Sequence, residues 1–165
     1  MGFVCPTVRT NSNDAFLLDF EKLWTHGLEI GQKIFIAAYP DAVERVGQWY
    51  GIKREWAVNP YVLELYLNVT GSERVGYRFY VYESALFALK VHYFDFAGYY
   101  VPFVFYVDNT PVGEIHYEAL QKPQEIELPK IFFQSGWHEI YLQPRAEGQL
   151  MINVDYILLE QAMEK

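Results

Sequence analysis

Gly136-Trp137-His138-Glu139-Ile140-Tyr141-Leu142, followed after a glycine-containing turn by Ile152-Asn153-Val154-Asp155-Tyr156-Ile157-Leu158-Leu159-Glu160, is the stretch that decides the fold of this chain. In the first run His138, Ile140 and Leu142 alternate with Trp137, Glu139 and Tyr141, the period of a half-buried strand. In the second, Asn153 and Asp155 interrupt an apolar β-run, and a carboxylate buried there costs several kcal/mol unless donors satisfy it.

Working outward, the same texture extends back to Tyr61. Candidate strands are Val62 to Val69, Val75 to Tyr82, Phe87 to Phe94, Pro102 to Val107, Val112 to Tyr117, Glu125 to Leu128, Trp137 to Gln143 and Leu150 to Leu159. Turn signals separate them, among them Thr70-Gly71-Ser72, Asp108-Asn109-Thr110-Pro111 and Ser135-Gly136. Many short strands with short connections imply an all-β, antiparallel two-sheet sandwich, a jelly roll, rather than a parallel fold. Period-two alternation places Tyr77, Phe79, Val81, Phe87, Leu89, Val91, Phe103, Phe105, Val107, Ile140, Leu142, Val154 and Tyr156 inward.

The first sixty residues read less regularly. Asp14 to Trp24 spaces Phe16, Phe20, Leu23 and Trp24 as a helix would, yet Leu17-Leu18-Asp19-Phe20-Glu21 also reads as a strand. Pro40-Asp41-Ala42-Val43-Glu44-Arg45-Val46, with proline first and acids in the first turn, predicts one short helix. At 165 residues without repeat or linker, the chain is expected to form a single domain over 1–165, with 1–14 a loose N-terminal segment.

A net charge of -8 argues against a nucleic-acid or anionic-membrane partner, since phosphate binding needs a clustered basic face. No apolar run reaches the length of a membrane-spanning helix. The opening Met1-Gly2-Phe3-Val4-Cys5-Pro6 has no signal layout, which leaves a cytoplasmic protein and a piece of a longer secreted one equally open. The lone Cys5 forms no intrachain disulfide. Aromatics are in excess at 18% of the chain; the strand preference of Tyr and Phe accounts for most of that excess, and a ligand platform is a reading for the rest.

The order "Gly-x-His-x-Ile-x-Leu, then Asn-x-Asp-Tyr-Ile-x-Leu" resembles the closing strands of the galactose-binding-like jelly rolls, including the family 6 and family 35 carbohydrate-binding modules and related glycosidase accessory domains. Arg74 to Tyr93 and Phe103 to Gly113 resemble the middle strands of the same modules, so the likeness spans roughly the last hundred residues. It implies a structural calcium joining the chain ends, with Asp155 on the last strand facing Asp19 or Glu21, which match the family's acidic first strand in spacing. The alternative is that Asp155 caps a turn or pairs with a basic side chain. The resemblance also implies glycan binding by rings and nearby amides: Trp49 and Tyr50 near one stacking position, Tyr117 near a second, and Asn153 at the late asparagine. The structural alternative has Trp49 or Trp56 plugging the sandwich end and Tyr117 lying on ordinary strand surface; Tyr99-Tyr100 is a further loop pair open to both readings.

Catalytic motifs are missing. His26, His92, His116 and His138 are scattered without metal-ligand spacing, and no nucleophile elbow, phosphate loop or dinucleotide fingerprint occurs. His138, in phase with Ile140, reads as an inward, satisfied histidine. The chain is therefore expected to be a non-catalytic carbohydrate-binding module or glycosidase accessory domain. Its rival is a structural sandwich that mediates contacts with identical subunits or a neighbouring glycosidase domain. Rings in a groove beside amides or acids favour sugar, and a flat contiguous aromatic patch favours assembly.

Overall fold

The computed structural model describes residues 15–17, 26–28, 32–37 and 46–162. Twelve strands follow in chain order: β1 (Ala15–Leu17), β2 (His26–Leu28), β3 (Gln32–Ile36), β4 (Tyr50–Ile52), β5 (Val62–Val69), β6 (Val75–Val81), β7 (Ala85–Asp95), β8 (Phe103–Val107), β9 (Thr110–Ile115), β10 (Lys122–Phe133), β11 (Gly136–Pro144) and β12 (Gly148–Gln161). There is no helix among the described residues. A seven-stranded sheet runs β1-β4-β5-β12-β7-β10, with β3 also on β12, and packs against a five-stranded sheet ordered β2-β6-β11-β8-β9. Among the described residues all strand pairings are antiparallel except β2 with β6, a parallel pair that the short connections did not foretell.

The core lies between the sheets and uses the positions that alternation selects. Tyr77, Phe79, Phe87, Leu89, Val91, Phe103, Phe105, Ile140, Leu142 and Val154 are all buried in it. Tyr156 departs from the pattern. The pairing of β12 with β7 slips between Val154 and Tyr156, leaving Asp155 as the extra residue of a β-bulge. Past that point Ile157 and Leu159 face the core and Tyr156 turns outward.

Two further differences have local causes. Strand β10 runs on through Pro129 because it is an edge strand, where a missing N–H breaks no ladder, and its register slips between Leu128 and Ile131. The β8–β9 hairpin closes on Asp108 and Asn109, both at positive φ (48° and 72°), the two-residue turn whose twist suits paired strands. In the early region, 15–17 is strand rather than helix, while the rest of 14–24 and residues 40–45 of the expected short helix lie outside the described residues, as do 1–14. Val46, at the end of that expected helix, bridges to Arg74 instead.

Candidate functional site

The β4–β5 connection, residues 53–61, folds back over the outer face of the seven-stranded sheet and is fastened there at two places. The first is Asp155. Its carboxylate is fully buried and accepts from Val58 N (2.8 Å), Asn59 N (3.1 Å), Asn59 Nδ2 (2.9 Å) and His92 Nδ1 (2.8 Å). The bulge swings Asp155 out of the ladder toward these donors, so the buried charge is met by hydrogen bonds on both oxygens. The second fastening is Arg54, whose Nε donates to Asn153 Oδ1 (2.8 Å) and whose Nη2 reaches Glu64 Oε1 (2.9 Å). Asn153 Nδ2 donates to that same Glu64 oxygen at 3.0 Å. Tyr50, Glu64 and Asn153 are directly paired across β4, β5 and β12, forming one row beneath the segment.

Trp56 rides on top of this arrangement. Its ring meets His92 edge-on at 5.5 Å and Phe94 at 5.7 Å. His92 stacks on Tyr156 at 4.9 Å, and Phe94 touches Phe96 at 4.8 Å. Tyr156, His92, Trp56, Phe94 and Phe96 thus make an unbroken strip of half-buried rings. The Tyr156 hydroxyl donates to Glu125 Oε2 at 2.5 Å, and burial, then Glu125, push its pKa up to about 12. The 53–60 segment itself encloses a cleft of about 590 Å³ lined by Lys53, Arg54, Glu55, Ala57, Val58, Asn59 and Pro60. Rings with acids, a guanidinium and an amide beside them can hold a ligand that has both C–H faces and hydroxyl groups.

The residues expected from sequence fall in three places. Asn153 and Tyr50 belong to the row under residues 53–61; Asn153 is wholly buried with its amide engaged, and Tyr50 is half-exposed. Trp49 is corrected: it is fully buried, its Nε1 donates to Val46 O at 2.9 Å, and no face is left for a sugar. Gly47, at φ +99°, allows the turn that sends this ring inward, and a Cβ there would lie 2.6 Å from Glu73 Cγ. Tyr117 fills the sandwich end, stacked on Tyr93 and met edge-on by Phe96, Tyr100 and Phe103, with its hydroxyl donating to Met151 O. Burial, followed by Tyr93 and Asp95, holds its pKa well above the usual tyrosine range. His138 is satisfied as expected, between Asp108 Oδ2 and Gln134 O.

Of the three residues expected to hold calcium only Asp155 is described, and there it is a hydrogen-bonded carboxylate. Both Asp155 oxygens are occupied by N–H donors, the surroundings of an anion that needs no cation. The strand beside it is β3, where Ala37 N donates to Asp155 O, and Gln32-Lys33-Ile34-Phe35-Ile36-Ala37 carries no carboxylate. Asp19 and Glu21 lie outside the described residues. Sequence reasoning passed over Arg54, His92 and Tyr156 as site residues; the outward phase of His92 along β7 was the one available signal.

No family model matches the chain, and no curated protein matches it. Solved structures do. The CBM36-1 domain of a multidomain xylanase from the hindgut metagenome of Trinervitermes trinervoides aligns at TM-score 0.58 and 18% identity, over 81% of this chain and 99% of that one. A family 35 carbohydrate-binding module from Clostridium thermocellum aligns at TM-score 0.62 and 11% identity, over 78% and 98%. A Paenibacillus sp. cycloisomaltooligosaccharide glucanotransferase complexed with cycloisomaltoheptaose aligns at TM-score 0.61 and 16% identity, over 81% of this chain but 18% of that one. The chain thus has the fold of the carbohydrate-binding-module jelly rolls, as its closing strands suggested.

Proposed function

We propose that this chain is a non-catalytic module that binds carbohydrate on the outer face of the seven-stranded sheet. The observation that carries this reading is the strip of rings from Tyr156 to Phe96, with Glu125 bonded to the Tyr156 hydroxyl and with Trp56 carried on the same 53–60 segment that lines the cleft. A pyranose has C–H faces that pack on rings and a rim of hydroxyls that pair with carboxylates and guanidinium groups. The fold shared with carbohydrate-binding modules adds support of an architectural kind. A glycan array probed with the purified chain, with and without calcium, tests it. Trp56→Ala and Arg54→Ala are expected to weaken binding roughly tenfold or more, about 1.4 kcal/mol, with circular dichroism confirming the sheets. Absence of binding to any glycan at millimolar concentration would end this reading.

A second reading has its own observation. On the outer face of the five-stranded sheet Tyr80 lies directly opposite Trp137, their rings at 5.3 Å, and Tyr82 adjoins Tyr80 at 5.1 Å. Tyr82 and Trp137 are 64% and 49% exposed, and Arg78 covers one side of the Trp137 ring. The three rings touch in sequence to form one contiguous exposed patch, and Tyr, Trp and Arg are the residue types that dominate protein interfaces. Under this reading the patch meets an identical subunit or a neighbouring glycosidase domain. Sedimentation equilibrium is expected to show self-association that Trp137→Ser abolishes; a monomer at every concentration removes the identical-subunit version.

A further inference from the structure

Among the described residues, one ring nitrogen of His92 has a partner and the other has none. Nδ1 lies 2.8 Å from Asp155 Oδ2, and a carboxylate only accepts, so Nδ1 carries the proton. In the neutral ring Nε2 is then an acceptor. It has no partner among the described residues, and the side chain keeps 16% of its surface exposed. The ring cannot turn freely, since Tyr156 stacks on it at 4.9 Å and Trp56 meets it edge-on at 5.5 Å. Asp155 is equally fixed, held by Val58 and Asn59 and seated in a bulge with no exposed surface. A rigid acceptor at the centre of a half-exposed aromatic strip is more than packing requires. A core histidine would satisfy both nitrogens, as His138 does.

We propose that His92 Nε2 is a fixed acceptor for a hydroxyl of the bound ligand, and that Asp155 is the positioning residue that sets its tautomer. This rests on the carbohydrate reading of the same face and adds the atom that orients the sugar. It also gives Asp155 a use at the place where the fold resemblance would put a cation. The buried carboxylate acts through one hydrogen bond on the imidazole, as carboxylates do behind metal-bound histidines, but here the far nitrogen is presented to a hydroxyl.

The test is long-range 1H–15N correlation on histidine-labelled protein, with xylotetraose and isomaltotetraose as probes. His92 is expected to show a protonated Nδ1 and a bare Nε2, the minor tautomer of free imidazole, and Asp155→Asn to lose that preference. Adding a tetramer that binds should move the Nε2 resonance more than Nδ1. His92→Phe should weaken binding five- to tenfold, roughly the worth of one hydrogen bond, while His92→Gln, which retains an acceptor oxygen, restores most of it. A merely structural histidine would give neither the resonance shift nor the rescue. An Nε2–H tautomer in the wild type overturns the proposal whatever the variants do. Binding that leaves Nε2 unmoved and survives His92→Phe overturns this assignment and leaves the carbohydrate reading standing. Failure of the wild type to bind either tetramer or any glycan on the array overturns both.

Discussion

Replacing Asp155 by Ala is expected to lower the unfolding free energy by about 3–5 kcal/mol, because several buried donors lose their shared acceptor at once. The change strips the acceptor from Val58 N, Asn59 N, Asn59 Nδ2 and His92 Nδ1 together. Each buried donor left without a partner costs about 1–3 kcal/mol. Water entering from the exposed side of residues 53–60 recovers part of that sum, which is why the expected loss falls short of four full penalties. Against a total of about 5–15 kcal/mol for a typical domain the loss is large. Urea denaturation followed by tryptophan fluorescence measures it, with the midpoint moving and the slope unchanged. In the same experiment a chelator should leave the wild-type midpoint alone. A fall on chelation that calcium restores would mean that a cation holds this part of the fold.

Trp49→Ala should be equally damaging, at about 3–5 kcal/mol, the cost of emptying a core position of a large ring. Trp49 is fully buried, packs in the main cluster and ties its indole to the backbone of Val46. Losing it opens a cavity where β4 meets the core and leaves the Val46 carbonyl without its indole donor. Tyr99→Ala is the fitting comparison, because Tyr99 is fully exposed at the tip of the β7–β8 connection. Its removal should stay within about 0.5 kcal/mol. Thermal melts of the two variants side by side check both. Near-equal melting temperatures would show that Trp49 does not hold the core.

Legibility followed the distance over which the information is stored. Strands β5 to β9, β11 and β12 could be read to within about two residues at each end because alternation and turn chemistry are local. Tyr156 was misplaced because a bulge leaves no mark in composition; only the pairing of β12 with β7 reveals the extra residue. Trp49 looked like a loop ring because glycines bracket it, yet Gly51 lies within β4 and Gly47 serves an inward turn. The site was harder still. Arg54 meets Asn153, and Val58 meets Asp155, across 99 and 97 residues, and nothing near either member announces the other. Asp155 could be flagged from sequence as a charge in need of partners, but the partners themselves could not.

The place of β12 bears on how the chain acquires this structure. It is the last strand in order and the centre of the larger sheet, receiving β5 and then β3 along one edge and β7 along the other. During synthesis β5 and β7 emerge well before the strand that separates them, so each carries an open hydrogen-bonding edge until β12 follows. Such edges template pairing with other chains, and closure that joins distant segments is slow. Closure of the larger sheet is thus expected to wait for β12, and until it arrives the open edges of β5 and β7 are expected to be the places most exposed to pairing with other chains.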